Sequence, residues 1–460
     1  MVARETAGEN WQPRARRDDM RTETTRNMTR NMTRNMTNMT TAAGVLALTV
    51  ALAACSSSAS NNNAGSGGSG AGSGGTSGGG IDGGVAFALK PFTAPPQDPG
   101  AKTVLFTASG EELAYSGYAF PPAMDGDAAF VDGWQIDFDH LLVTIDKVTL
   151  SENPVKVPTD QSQTGALVAE VDGPWAVDLH PKGPLMGKGG GDETAVPIAA
   201  LTNQNKNGNK AFDTASGTAY AFGFDLAPAT ANAQNVNLDA DALASYQQMV
   251  TDGCAVLYAG TATFKGGADC TPADPEFAKL APTVKFRFCF KSPTTYANCQ
   301  DGSNDGAGIN GEEHPRGFAF KDNQSVIAQV TVHTDHPFWE STIHDSPAHF
   351  DQFAAQTTGA AGTPTVTLED VVGLDFTAMV DKAKTALPWR TCLPKSRYPM
   401  GGYDAPAGQM HFDPQAIATN PDPTKGFRDY YDFATYNQST QGHLNSDGLC
   451  AVERHYPSPQ

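Results

Sequence analysis

Trp134-Gln-Ile-Asp-Phe-Asp-His-Leu-Leu-Val-Thr-Ile-Asp-Lys-Val-Thr-Leu150 is the longest strand-like stretch of the chain, and its reading sets the fold class. Successive side chains of a strand point to opposite faces. Strict alternation therefore places Ile136, Phe138, His140, Leu142, Thr144, Asp146 and Val148 on one face, and Gln135, Asp137, Asp139, Leu141, Val143, Ile145 and Lys147 on the other. The apolar set changes face near Leu141, so a β-bulge is expected there. Working outward, strand patterns recur at 103–107, 166–171, 175–179, 220–226, 255–258, 284–290, 326–332 and 365–368. Gly, Pro, Asn and Asp clusters separate them, which is the pattern of a mainly β fold, a β-sandwich with long loops. Helices are few: Asp239 to Val250 opens on an Asp cap, and Phe350 to Gln356, Phe376 to Ala386 and Phe427 to Tyr436 are further short candidates. Residues 101–460 thus read as one β-rich region with helical insertions, and a division near residue 240 is left open.

The first hundred residues have a different character. Met1 to Thr41 is polar and carries eight arginines, with an Arg-Asn-Met-Thr repeat from Arg26 that offers Met28 and Met32 as alternative starts. Ala42 to Ala54 is apolar and small, far short of the roughly 20 residues a spanning helix needs, and reads as a signal-peptide core. It ends Leu52-Ala53-Ala54-Cys55, which resembles the lipobox of bacterial lipoproteins. That resemblance implies cleavage after residue 54 and acylation of Cys55, and more than one acyl chain gives stable anchoring. Ser56 stands where an Asp would favour inner-membrane retention, so the resemblance implies the outer membrane of a Gram-negative envelope. Residues 55–100 then form the lipidated cysteine and a tether. Its Ser/Gly/Asn-rich part, Ser56 to Gly80, spans about 25–30 Å as a coil. The succession of Trp134 to Leu150, Trp175-Ala-Val-Asp178 and Tyr220-Ala-Phe-Gly-Phe224 is similar to immunoglobulin- or transthyretin-like modules of bacterial lipoproteins, a similarity that implies no activity.

Charge and cysteine usage narrow the partners. The whole chain has 31 basic and 50 acidic side chains, a formal charge of −19; removal of residues 1–54 takes away eight arginines and five carboxylates and leaves −22. A polyanion needs a basic footprint, so nucleic acid is excluded as the expected partner and cations are favoured. Beyond Cys55 the chain carries Cys254, Cys270, Cys289, Cys299, Cys392 and Cys450, an even number that reads as disulfides in an exported protein. Nearest-neighbour pairing, Cys254–Cys270, Cys289–Cys299 and Cys392–Cys450, is the expectation. The absence of any C-x-x-C spacing argues against a thioredoxin-like site and a zinc knuckle.

Chemistry concentrates in His333-Thr-Asp-His336-Pro-Phe-Trp-Glu340-Ser-Thr-Ile-His344-Asp-Ser-Pro-Ala-His349, where four of the ten histidines fall within seventeen residues. Imidazoles with a carboxylate suit zinc or copper when three or four converge. A short helix from Pro337 would put His336, Glu340 and His344 on one side. The expected ligands are His333, His336, His344 and His349, with Glu340 in reserve; the competing reading is histidines satisfied within a core around Phe338, Trp339 and Phe350. No H-E-x-x-H occurs, so a zincin-type hydrolase lacks its usual pairing. A second stretch, Asp301-Gly-Ser303-Asn-Asp305-Gly306 to Glu312, has oxygens at positions 1, 3, 5 and 12 and Gly at 6, which resembles an EF-hand calcium loop; an acidic surface loop is the plainer reading.

The reading that follows is an exported, membrane-anchored binding module, leaning away from an enzyme, with zinc or copper at the histidines and calcium at the acidic loop as candidate cofactors. One alternative is a metal-dependent hydrolase on the same cluster, with Glu340 or Glu313 as base. Another is a glycan- or envelope-binding β-sandwich that stacks sugars on Trp134, Trp175 and Trp339.

Overall fold

The decisive stretch forms a single strand, Trp134–Glu152, and it does contain the expected bulge. In its pairing with the strand Val256–Phe264, Ala259 faces His140 and Gly260 faces Phe138, so Asp139 is the extra residue. The bulge explains the change of face. Trp134, Ile136 and Phe138 before it and Leu141, Val143 and Ile145 after it all enter the same core, so the straight alternation through Leu142 is corrected by one residue. Gly260 is required opposite the bulge, because a Cβ there would lie 2.3 Å from the Asp137 carbonyl oxygen and 2.6 Å from the Phe286 ring.

This computed structural model describes residues 87–100, 102–202, 212, 218–320, 324–342, 346–375, 378–394 and 427–455. The signal segment, Cys55 and most of the tether lie outside the described residues, as does His344. The described chain is mainly β with a few short helices. One sheet has twelve strands and runs, along its main path, 90–91, 234–235, 175–178, 134–152, 256–264, 283–290 and 365–367. Strands from both sides of residue 240 therefore lie side by side in it. The second sheet has six strands, in the order 448–449, 443–444, 326–331, 104–109, 194–201 and 185–186. Its strand Val104–Ser109 is buried at every position, with Val326–Thr331 parallel on one side and Thr194–Leu201 antiparallel on the other. A strand covered on both faces reads as a continuous run rather than an alternation, which fits Val104-Leu-Phe-Thr-Ala. The two sheets share one apolar core, with the Phe106 ring 6.5 Å from Trp175 and 5.9 Å from Phe222.

The helices follow their caps. Ala240–Asp252 starts after Asp239, whose carboxylate accepts from the Asp241 and Ala242 N–H groups, and ends at Gly253 in the left-handed conformation. Tyr430–Gln438 starts after Asp429, which accepts from Asp432 N–H, and Asp351–Ala355 is a shorter turn. The helix expected over Phe376 to Ala386 is not formed. The described part is the two-strand ladder Met379–Val380 with Ala386–Leu387, closed by a turn with Lys384 at φ 67°. Among the described residues no helix is long and apolar enough to cross a membrane.

The six cysteines form three disulfides with a different pairing from the expected one: Cys254–Cys289, Cys270–Cys392 and Cys299–Cys450. β-contacts, not sequence distance, choose the partners. Cys254 precedes the strand that pairs with the one containing Cys289, and Cys270 and Cys392 adjoin the bridge between Thr271 and Thr391. Cys299 and Cys450 flank the ladder of 294–297 with 451–454.

Candidate metal centre

Strand Val326–Thr331 delivers His333 to one end of the small sheet, and its antiparallel neighbour His443–Leu444 delivers a third imidazole to the same place. Thr331 faces His443, so continuing the register sets His333 opposite Gln441. The Gln441 side-chain amide and the Tyr258 hydroxyl both donate to the His333 carbonyl, each at 2.9 Å. Gly442 lets this segment pass over Tyr296, because a Cβ there would stand 2.3 Å from the ring. His336 begins a three-residue 3-10 turn, His336–Phe338, which folds its ring back toward the other two.

The ring centroids of His333 and His443 are 4.3 Å apart, those of His333 and His336 5.0 Å, and those of His336 and His443 5.7 Å. One ligand atom from each of the three lies within 4.8 Å of the others, an arrangement that could hold a metal ion. His333 Nε2 and His443 Nδ1 are in contact at 2.5 Å. Nitrogens bound to one tetrahedral ion at about 2.0–2.1 Å stand roughly 3.4 Å apart, so these two rings would have to separate by about 1 Å to share one.

Second-layer groups set the tautomers. Thr440 Oγ1 donates its proton to the Asn437 carbonyl at 2.7 Å and therefore accepts from His336 Nδ1 at 2.7 Å. With the proton on Nδ1, neutral His336 carries its lone pair on Nε2. Glu111 faces His333 Nδ1 at 3.5 Å, which favours the proton there and the lone pair on Nε2, the atom turned toward His443. The His336 ring also packs against Trp339, tilted by 31° with 3.8 Å between centroids.

His336 and His443 are fully buried, whereas His333 reaches a cleft of about 200 Å³. Glu111, Tyr118, Asp335, Ser346 and Ala348 are among the residues lining it. Tyr118 bonds Thr334 through its hydroxyl at 2.8 Å, and burial followed by the charge of Asp335 raises its pKa, so the phenol stays protonated.

The structure divides the sequence cluster in two. After the 3-10 turn Trp339 is extended, and Trp339 bridges Ala348, so the chain doubles back and carries Glu340 and His349 away from His336. Glu340 and His349 are not ligands of the three-histidine group; they bond each other at 2.6 Å in the interior. His349 Nδ1 faces Asp132 at 3.8 Å. Asp132 accepts the N–H groups of Phe350 and Asp351, each at 2.7 Å. Asp351 receives Arg390 through Nε and Nη2, both at 2.7 Å, and Trp134 Nε1 at 2.8 Å. Burial first and then the charge of Asp351 push the Asp132 carboxyl up to about 7. Burial opposes charge on His349, but the hydrogen bond and charge of Glu340, with Asp132 and Asp351, outweigh it and raise its pKa. Glu340 is thus committed to a buried ion pair and is not placed as a base beside the three histidines.

The other expected sites are arranged differently. Glu312 receives Arg316 Nε at 2.9 Å on each carboxylate oxygen, and Asp301 accepts from Ser303 and from Asn445. Asp301, Ser303, Asp305 and Glu312 are not gathered into a ligand group among the described residues. Asp252 does approach Cys254 and Cys289, but those two sulfurs form a disulfide. Trp134, Trp175 and Trp339 are all buried, so none offers a face to a sugar. His443 was missed by sequence reasoning because it lies 110 residues from His333 and outside the dense histidine stretch; only strand register could have found it. Glu111 and Thr440 were missed for the same reason.

No protein-family model, curated protein or solved structure matches the chain, so the chemistry of the site rests on its own geometry.

Proposed function

We propose that this chain is an exported lipoprotein, anchored to the outer membrane through Cys55, that binds a divalent transition metal through His333, His336 and His443. The observation that carries the metal reading is the convergence of three imidazoles, two from the segment that follows strand Val326–Thr331 and one from its neighbour His443–Leu444, with His336 and His443 fully buried. An all-imidazole set suits zinc or copper over calcium or magnesium, which take oxygen ligands. The lipobox-like Leu52-Ala53-Ala54-Cys55 and the polar tether support the address. Within this reading the two sheets are the halves of an elaborated β-sandwich of the immunoglobulin- or transthyretin-like kind, supported by their shared aromatic core.

Elemental analysis of protein purified without chelator tests the metal. We expect about one zinc or copper per chain, lost in the His336→Ala/His443→Ala variant and retained in His349→Ala. Absence of metal, with none taken up on titration, would sink the reading. The address is tested separately by palmitate labelling, which should disappear in Cys55→Ser.

A metal-dependent hydrolase is the second reading, and one observation favours it. His333 opens onto a cleft where the Glu111 carboxylate stands, as catalytic metals require a free coordination position with a base beside it.

A further inference from the structure

Of the three clustered histidines, His333 alone is among the residues lining the cleft, while His336 and His443 are fully buried. An ion that enters by this cleft therefore meets His333 before the two buried rings. We propose that the cleft is the route by which a hydrated divalent cation reaches the buried pair, and that His333 is the ligand that swings aside to admit it. This rests on the metal reading above and adds to it the path and the form in which the ion travels.

The walls suit that traffic. Glu111 and Asp335 bring carboxylates to the lining, and among the described residues no Lys or Arg lines the cleft. Leu113, Ala128, Ala129 and Ala348 supply low-dielectric walls, which concentrate the field of the two acids on an approaching cation. The volume, about 200 Å³, leaves room for an ion with bound waters, each of which takes about 30 Å³ in the liquid. Glu111 also adopts φ 61°, an unfavourable conformation for a residue with a side chain, and its N–H is held by the Ser109 hydroxyl at 2.9 Å. The backbone thus bears a local cost in the residue that sets a carboxylate 3.5 Å from His333 Nδ1. His333 itself is fixed through its carbonyl, by Tyr258 and Gln441, so ring rotation can open the way without moving the strand.

Stopped-flow mixing of the full chain with cobalt(II), read by its ligand-field absorption, tests the route. For the unaltered protein the association rate should fall as ionic strength rises. In Glu111→Gln it should drop about tenfold and lose most of that salt dependence. Ala128→Trp, which narrows the mouth, should slow uptake and chelator-driven release by the same factor and leave the dissociation constant unchanged. Wild-type rates in both variants, with cobalt bands intact, would overturn the route while leaving the metal centre standing. No cobalt bands in the unaltered protein would overturn the centre and the route together. Glu111→Gln is nearly isosteric, so the test survives if Ala128→Trp fails to fold.

Discussion

Thr440 shows how the state of an imidazole, here the proposed ligand His336, is decided one bond away from it. Its hydroxyl has a single proton, committed to the Asn437 carbonyl, so it can serve His336 only as an acceptor. Replacing it with valine keeps the shape and removes the acceptor, which frees the imidazole to take the wrong tautomer. We expect Thr440→Val to weaken zinc binding by about 10–100-fold, as other outer-layer losses do, and Thr440→Ser to restore it; competition with a chromogenic chelator measures both. At this scale the sequence is half legible. His333 and His336 stand out by density, and they do belong to the group. His349 and Glu340 stand out equally and do not, because a three-residue turn and a return of the chain at Ala348 separate them, and nothing in the local spacing distinguishes a 3-10 turn from a longer helix.

Among the elements, periodicity was informative wherever one face was buried. The change of apolar face in Trp134–Leu150 located the bulge to within two residues, because a one-residue slip would turn every later side chain out of the core. The capped helix after Asp239 was equally plain. Pairing between distant elements was not. The parallel contact of Val104–Ser109 with Val326–Thr331 joins segments more than two hundred residues apart, and the disulfides follow such contacts, with Cys299 and Cys450 separated by 151 positions. Sequence distance is a poor guide to which cysteines meet, since it is the sheet that brings their backbones together. The same ignorance of register hid His443, which lies one strand over from the stretch that drew attention.

At the scale of the molecule, the buried set of Asp132, Glu340, His349, Asp351 and Arg390 links three chain segments far apart in sequence. Its pH response follows from two upward shifts. Asp132 holds its proton in the folded state up to about 7 but releases it near 3.8 when unfolded, so its contribution is fully present below about 4 and is lost as pH rises to 7. His349, also raised, contributes stability below its unfolded value near 6.5 and loses it as pH rises through its higher folded value. Both act in the same direction: the denaturant midpoint should fall between pH 5 and pH 8. In Asp132→Asn, which can still accept the two backbone N–H groups, that slope should be visibly shallower; an unchanged slope would show that the proton resides elsewhere.

The position of His443, 110 residues after His333, also orders events in time. A growing polypeptide that has already exposed His333 and His336 offers an ion only a two-toothed grip until a long further stretch has emerged and zipped onto the small sheet. On the proposed metal reading, loading is therefore a late act in the life of the molecule, and a half-made copy would make a poor thief of scarce metal.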